Sequence, residues 1–205
     1  MKGYHIYLIR HGSTVANENG TYIGHTDYSL SEKGIEELKD KAEKHIYPKT
    51  ERIYSSPLKR CTETAKILFP DKEILCLEGI KELNLGDFDG KNVEELINNE
   101  DYKKWLKGGF EFAPPNGESV KDLTIRSFDA LNKIIINMMN EDIVNATIIS
   151  HSGVISNMLT CFGLPKLTEE DLRHEPGEGY EILVTAQMWQ QANAFEIISR
   201  VPYYE

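Results

Sequence analysis

The chain has 205 residues, 40% of them hydrophobic and 27% charged, which is ample for one core and argues against a largely disordered protein. Its 23 basic and 33 acidic side chains give a formal charge of -10, which argues against broad binding to a nucleic-acid backbone. Any anionic ligand must then be held by a local cluster of cations.

The elements can be taken in chain order. Residues 4–9 (YHIYLI) predict a strand that runs into a loop containing Gly, Ser and Asn. Ser31 is placed to cap a helix in which Ile35, Leu38, Ala42 and Ile46 recur at spacings of three and four, an apolar face. RIYSS (52–56) is a short strand passing directly into a helix, with Ser56 as cap and Pro57 at the first helical position, where its missing N–H costs nothing. Residues 74–77 predict another strand, and 92–97 and 100–107 short helices. The paired prolines make 108–117 (GGFEFAPPNG) a loop. Glu118 to Asn140 reads as one long helix. VNATIISHSG (144–153) is a buried strand with a polar end, followed by a helix that a left-handed Gly163 should stop. GYEILVTA and ANAFEIIS are two last strands separated by a polar loop.

Three cysteines (Cys61, Cys76, Cys161) without CxxC spacing suit a reducing compartment, and each is read as a small core residue. His5 and Arg10 interrupt the N-terminal apolar run, which is too short for a signal-peptide core, and no stretch is long enough to span a bilayer. A cytoplasmic location is expected.

Strands alternating with helices predict an α/β fold: a single domain over 1–205, built as a three-layer αβα sandwich with a mostly parallel central sheet and helices on both faces. Ligands in such sheets bind beyond the carboxyl ends of strands. Three of those ends carry Arg10 and His11, Ser55 and Ser56 leading to Arg60, and Ser150, His151 and Ser152. So many donors with so few acceptors fit an anion, and phosphate is the simplest, because guanidinium groups match its oxygens and helix N-termini add N–H groups. Surface pairing of Arg60 with Glu36 or Glu63 is the bland alternative.

Phosphoryl transfer needs an in-line nucleophile and neutralised charge, which two arginines and a cationic histidine supply without a metal or other cofactor. One of the two histidines, His11 or His151, serves as the nucleophile. The leaving alkoxide needs a proton. Glu82 in IKELNLGDFDG is the candidate donor, with Asp87 and Asp89 as alternatives. Gly12 is read as bringing the backbone close to the anion, and Ser13 and Thr14 as capping the turn or reaching phosphate. His5, His25, His45 and His174 lack ligand spacing such as HxxxH, so no metal site is assigned. Tyr102, Trp105, Phe110 and Phe112 are read as packing under the loop, with a lid over the substrate as the minority reading.

In order, LIRHGSTVAN, YIGHTDYSLSEKG, SSPLKRCTETA, ELNLGDFDG, PPNGESVKDLTIR and IISHSGVI resemble the motif series of the histidine phosphatase superfamily, the phosphoglycerate mutase-like family. The resemblance implies that His11 is phosphorylated, that His151 helps hold the phosphoryl group, and that Arg10 and Arg60 clamp it. It further implies Asn17 as a phosphate contact and Glu82 as proton donor, with Gly24 and Ser152 completing the binding set. The implied reaction is metal-independent hydrolysis of a small phosphomonoester through a phosphohistidine.

Where mutases have His-Gly-Asn-Ser this chain has HSGV at 151–154, and it lacks their longer insertions, so hydrolysis is favoured over mutase-type transfer. An α-ribazole-type ester is the first expectation for substrate, with phosphoglycerate-type and sugar phosphates next, selected by residues 100–117 and 165–180. A non-catalytic phospholigand-binding domain is the reading from another class; His11 and Glu82 argue against it. The expected partner is a small-molecule phosphomonoester, with neither nucleic acid nor membrane, and the sequence leaves a homodimer open.

Overall fold

A computed structural model describes residues 2–204. In chain order it contains β1 (Gly3–Arg10), α1 (Val15–Glu18), α2 (Glu32–Lys44), β2 (Arg52–Ser55), α3 (Lys59–Leu68), β3 (Ile74–Cys76), α4 (Val93–Leu96), α5 (Glu100–Gly108) and α6 (Val120–Asn140). There follow β4 (Asn145–Ser150), α7 (Ser152–Phe162), β5 (Gly163–Leu164), β6 (Gly179–Thr185), α8 (Ala186–Ala192) and β7 (Phe195–Val201).

The strands form one seven-stranded sheet in the order β3-β2-β4-β1-β6-β7-β5. β1, β4, β2 and β3 run parallel to one another, while β6 is antiparallel to both its neighbours, β1 and β7. The apolar run of β1 is central because both its faces are covered. Tyr4, Ile6 and Leu8 enter a core with α6, α7 and Trp189 of α8, whereas Tyr7 and Ile9 enter a second core with Cys61 and Ala65 of α3. Successive side chains on a strand point to opposite faces, so this division is the three-layer αβα arrangement seen from one strand. α2 packs beside α3.

Several local expectations are corrected. Ser56 does not cap α3: the helix starts at Lys59, Leu58 is its N-cap without a side-chain hydrogen bond, and the Ser56 hydroxyl is engaged by His151 instead. Gly163 is not left-handed, with φ -80 and ψ 146; it begins β5, and an added Cβ would lie 2.5 Å from the Leu159 carbonyl. The segment between β6 and β7 is a helix, α8, capped by Thr185 Oγ1 accepting from Met188 N at 3.2 Å and turned back by Asn193 in the left-handed region. In α2 the apolar face narrows to buried Leu38 and half-buried Ile35; Ala42 and Ile46 are exposed, and Ile46 lies beyond the helix. Cys61 is buried but Cys76 and Cys161 are exposed, on an edge strand and in the last turn of α7, where the core does not reach. Residues 118–119 precede the long helix: Ser119 is its N-cap, in a reciprocal box with Asp122.

The segment Ile80–Gly90 is clamped against residues 114–118. Asp87 N donates to Pro115 O at 2.9 Å and Glu118 N to Asn84 O at 3.0 Å. Gly86 sits at φ +49 with its α-carbon against the Pro115 carbonyl. Gly86→Ala is therefore expected to cost about 2 kcal/mol or more, through a disfavoured φ and a backbone clash together, and to lower the thermal midpoint by roughly 4–8 °C. A midpoint within a degree of the parent in calorimetry would contradict this account of the clamp.

Candidate active site

Register builds the site. Arg10 pairs with Ser150 across the parallel β1–β4 ladder, and His11 N donates to Ser150 O at 3.0 Å, so the residues following the two strands emerge side by side. They are His11 and His151, whose rings lie edge to face with centroids 5.2 Å apart. His11 Nδ1 lies 2.7 Å from Gly12 O; a carbonyl only accepts, so Nδ1 carries the proton and Nε2 is left with its lone pair. Burial, then the charge of Arg60, lowers the His11 pKa to about 3. The ring is thus neutral near pH 7, as a nucleophile must be.

Arg60, in the first turn of α3, is 0% exposed. Its Nε donates to His151 Nδ1 at 3.3 Å, NH1 to Thr26 O at 3.0 Å and NH2 to Gly24 O at 2.8 Å. His151 Nε2 in turn donates to Ser56 Oγ at 2.8 Å. The expected pairing with surface carboxylates is absent: Glu63 accepts from Leu30 N at 2.8 Å, and Glu36 lies on the exposed side of α2. With His11 as nucleophile, the cationic histidine expected from the sequence falls to His151, and that expectation is corrected too. Burial first, then His11 and Arg60, hold its pKa well below the ordinary value, and Nδ1 already accepts a hydrogen bond.

Arg10 NH1 donates to His174 O at 2.9 Å, while its Nε is buried without a partner. His174 is also buried, with a pKa lowered to about 4 by burial, and its Nε2 is unpartnered.

Glu82 reaches the cluster from the loop after a 3-10 turn (Glu78–Ile80). Its Oε1 accepts from Leu83 N at 2.8 Å and its Oε2 from Gly153 N, in the first turn of α7, at 3.3 Å. Burial raises its pKa, and the two N–H groups pull the other way. The rival carboxylates are committed elsewhere: Asp89 accepts from Gly24 N and Thr26 N, both at 2.8 Å, and Asp87 from Asn116 Nδ2 at 3.0 Å. Arg126 braces the loop. It donates to Lys81 O at 2.7 Å and Glu82 O at 2.8 Å, and pairs with Glu118.

A cavity of about 390 Å³ opens on Arg10, His11, Asn17, Glu82 and Ser152. Arg60 and His151 stand behind His11, both fully buried. Asn17 Oδ1 accepts from Thr14 N at 3.1 Å and Thr14 Oγ1 at 2.9 Å, which fixes the side chain at the mouth of α1. Gly24 is not among the lining residues; its N–H is bound to Asp89 and its carbonyl faces Arg60, so it supports the clamp from behind.

Gly12 also packs closely, since an added Cβ would lie 2.5 Å from Leu38 Cδ1. Thr14 caps α1, and the Ser13 hydroxyl donates to Glu37 at 3.3 Å. Of the aromatic set, Trp105 lines the cavity, Tyr102 is buried beneath it beside Phe88, and Phe110 and Phe112 are exposed. Asn157 and Arg126 escaped the sequence reading; Asn157 falls four residues after Gly153, one turn along the same face of α7, which was the available signal. Among the described residues no group of three or more His, Cys, Asp or Glu is arranged to hold a metal ion, and no helix is long and apolar enough to cross a membrane.

Comparison with known proteins matches this chain, over residues 6–194, to the model of the histidine phosphatase superfamily (branch 1). Adenosylcobalamin/alpha-ribazole phosphatase of Salmonella typhimurium is 28% identical over 158 residues, covering 75% of this chain and 77% of its own. Phosphoglycerate mutase-like protein 4 of Arabidopsis thaliana is 32% identical over 160 residues, covering 75% and 68%. The crystal structure of the alpha-ribazole phosphatase from Shigella flexneri has the same fold, with a TM-score of 0.73 at 23% identity over 95% of this chain and 94% of that one.

The buried imidazoles set a pH dependence of stability. His11 titrates at about 3 and His174 at about 4 when folded, against roughly 6.5 when unfolded, so between these values the unfolded chain binds more protons and stability falls as the pH drops. Thermal midpoints should decline from pH 7 to pH 4, and the decline should be shallower in His11→Asn. Parallel profiles for the two proteins would remove His11 from this role.

Proposed function

The chain belongs to the histidine phosphatase superfamily (branch 1), and we propose that it is a phosphomonoesterase that carries the phosphoryl group of a small phosphorylated metabolite on His11. The observation that supports this most directly is a buried, neutral His11, its proton fixed on Nδ1 and its Nε2 left bare, lining one cavity with Arg10 and Glu82.

In the first step His11 Nε2 attacks phosphorus, the bond to the leaving oxygen breaks, and Glu82 gives that oxygen its proton. Water then attacks the phosphohistidine, its proton passes to the Glu82 carboxylate, and phosphate leaves with His11 neutral again. Arg10 and Arg60 spread positive charge over the transferred group, Asn17 and Ser152 add donors beside it, and His151, with its ring nitrogens engaged by Arg60 and Ser56, keeps the Arg60 guanidinium in place behind His11. This charge supply needs no metal, so turnover should be undiminished in EDTA. All these residues come from one chain, so a homodimer is compatible with the reading and not required by it. Three free cysteines, two of them exposed, favour a cytoplasmic setting. An α-ribazole phosphate is the first substrate to assay, given the Salmonella relative's name, and a sugar phosphate the second.

Intact-mass analysis after rapid neutral quench should show a phosphate adduct that His11→Ala lacks, and His11→Ala that turns over normally would end the proposal. Glu82→Gln separates acid catalysis from loop support. An alkyl alkoxide needs a proton as it leaves and p-nitrophenolate does not, so the variant should lose roughly a hundredfold on alkyl phosphomonoesters and much less on p-nitrophenyl phosphate. Equal losses on both substrates would reassign Glu82 to support of the loop.

A further inference from the structure

Charge divides the cavity in two. Among the described residues that line it, Arg10 is the single Lys or Arg and Glu82 the single carboxylate, and the reading above commits both to the phosphoryl end. The remainder is chiefly apolar: Tyr22, Ile23, Leu83, Leu85, Trp105 and Leu123. Trp105 meets Tyr22 edge to face at 6.1 Å and rests on Phe88 and Tyr102 at 5.7 and 5.9 Å, so it is a supported wall with its place fixed by other rings. Flat apolar surface of this kind suits a ring.

One polar group in this lining has an unmet bond. Asn157 Nδ2 donates to Thr124 Oγ1 at 2.9 Å, and the Thr124 hydroxyl donates its own proton to Val120 O at 2.7 Å. Thr124 oxygen can therefore only accept from Asn157, which fixes the amide's orientation and leaves Oδ1 as a free acceptor. That Oδ1 is buried and has no partner. A buried acceptor without a donor is costly, and a ligand N–H or O–H would remove the cost.

We propose that this half of the cavity is a leaving-group subsite selecting an uncharged, ring-bearing alcohol that carries a hydrogen-bond donor, with Asn157 Oδ1 accepting from that donor. A second anionic group on the alcohol is rejected, because it would be desolvated against apolar side chains with no cation left to meet it. The proposal rests on the phosphatase reading for the position of the phosphoryl group alone.

Benzylphosphonates, which cannot be hydrolysed, test the subsite apart from turnover. By calorimetry the wild type should bind 3-hydroxybenzylphosphonate about tenfold tighter than benzylphosphonate, the worth of one ordinary hydrogen bond, and 3-carboxybenzylphosphonate at least tenfold weaker. Asn157→Leu should erase the hydroxyl advantage while binding benzylphosphonate within about twofold of wild type, and Asn157→Asp, which keeps an acceptor, should preserve it. A carboxylated ligand that binds as well as the unsubstituted one, or a hydroxyl advantage that survives in Asn157→Leu, overturns the proposal. The corresponding benzyl phosphates are assayed in parallel: the expected ranking in binding with no hydrolysis of any ester would overturn the phosphatase reading and leave the subsite standing.

Discussion

Arg60 carries a full positive charge into the interior, and among the described residues no carboxylate forms an ion pair with it. Its partners are two backbone carbonyls and one imidazole nitrogen. Such partners satisfy its hydrogen bonds but not its charge, and an unpaired buried charge is expensive. Much of the site follows from that condition. Arg60 helps keep His11 and His151 neutral, it holds the Gly24–Thr26 loop through carbonyls, and it leaves a positive potential beside His11, where the proposed phosphoryl group would sit.

Glu82 is the complementary element. Desolvation favours its acid form, while the N–H groups of Leu83 and Gly153 favour its carboxylate. A group that gives a proton in one step and takes one in the next needs both influences present and neither overwhelming. Its loop is not free to drift: Arg126 ties three of its carbonyls, Gly79 O, Lys81 O and Glu82 O, to the first turns of α6.

How much of this could be read from the chain depends on the distance over which each feature is determined. The strands that carry His11 and His151 were legible because continuous apolar runs ending in polar residues report burial on both faces, and the rule for open sheets then joins ends far apart in sequence. Which histidine attacks was supplied by resemblance; the hydrogen bond from His11 to Gly12 O gives it a physical basis. Ser56 and Gly163 departed from their commonest local roles, helix cap and left-handed helix stop, because a tertiary neighbour decided the matter: His151 engages the Ser56 hydroxyl, and Gly163 pairs with Phe195 of β7 in extended backbone. Helix α8 was hidden by its brevity between two strands, its one buried anchor, Trp189, being fixed by Phe128 and by Asn132 of α6. Spacing along α7 could place Asn157 on the face of Gly153, but not show its importance, which lies in a bond it lacks.

The unmatched charge of Arg60 also couples the fold to its surroundings by mass action. Any oxyanion that fits beside it and binds the native form alone adds RT ln(1 + [L]/Kd) to the free energy of unfolding, about 1.4 kcal/mol for each tenfold excess over Kd. Under the proposed function phosphate would be such an oxyanion, and chloride would not. On that reading the thermal resistance of this chain would thus be a property of chain and buffer together, rising with the free phosphate around it.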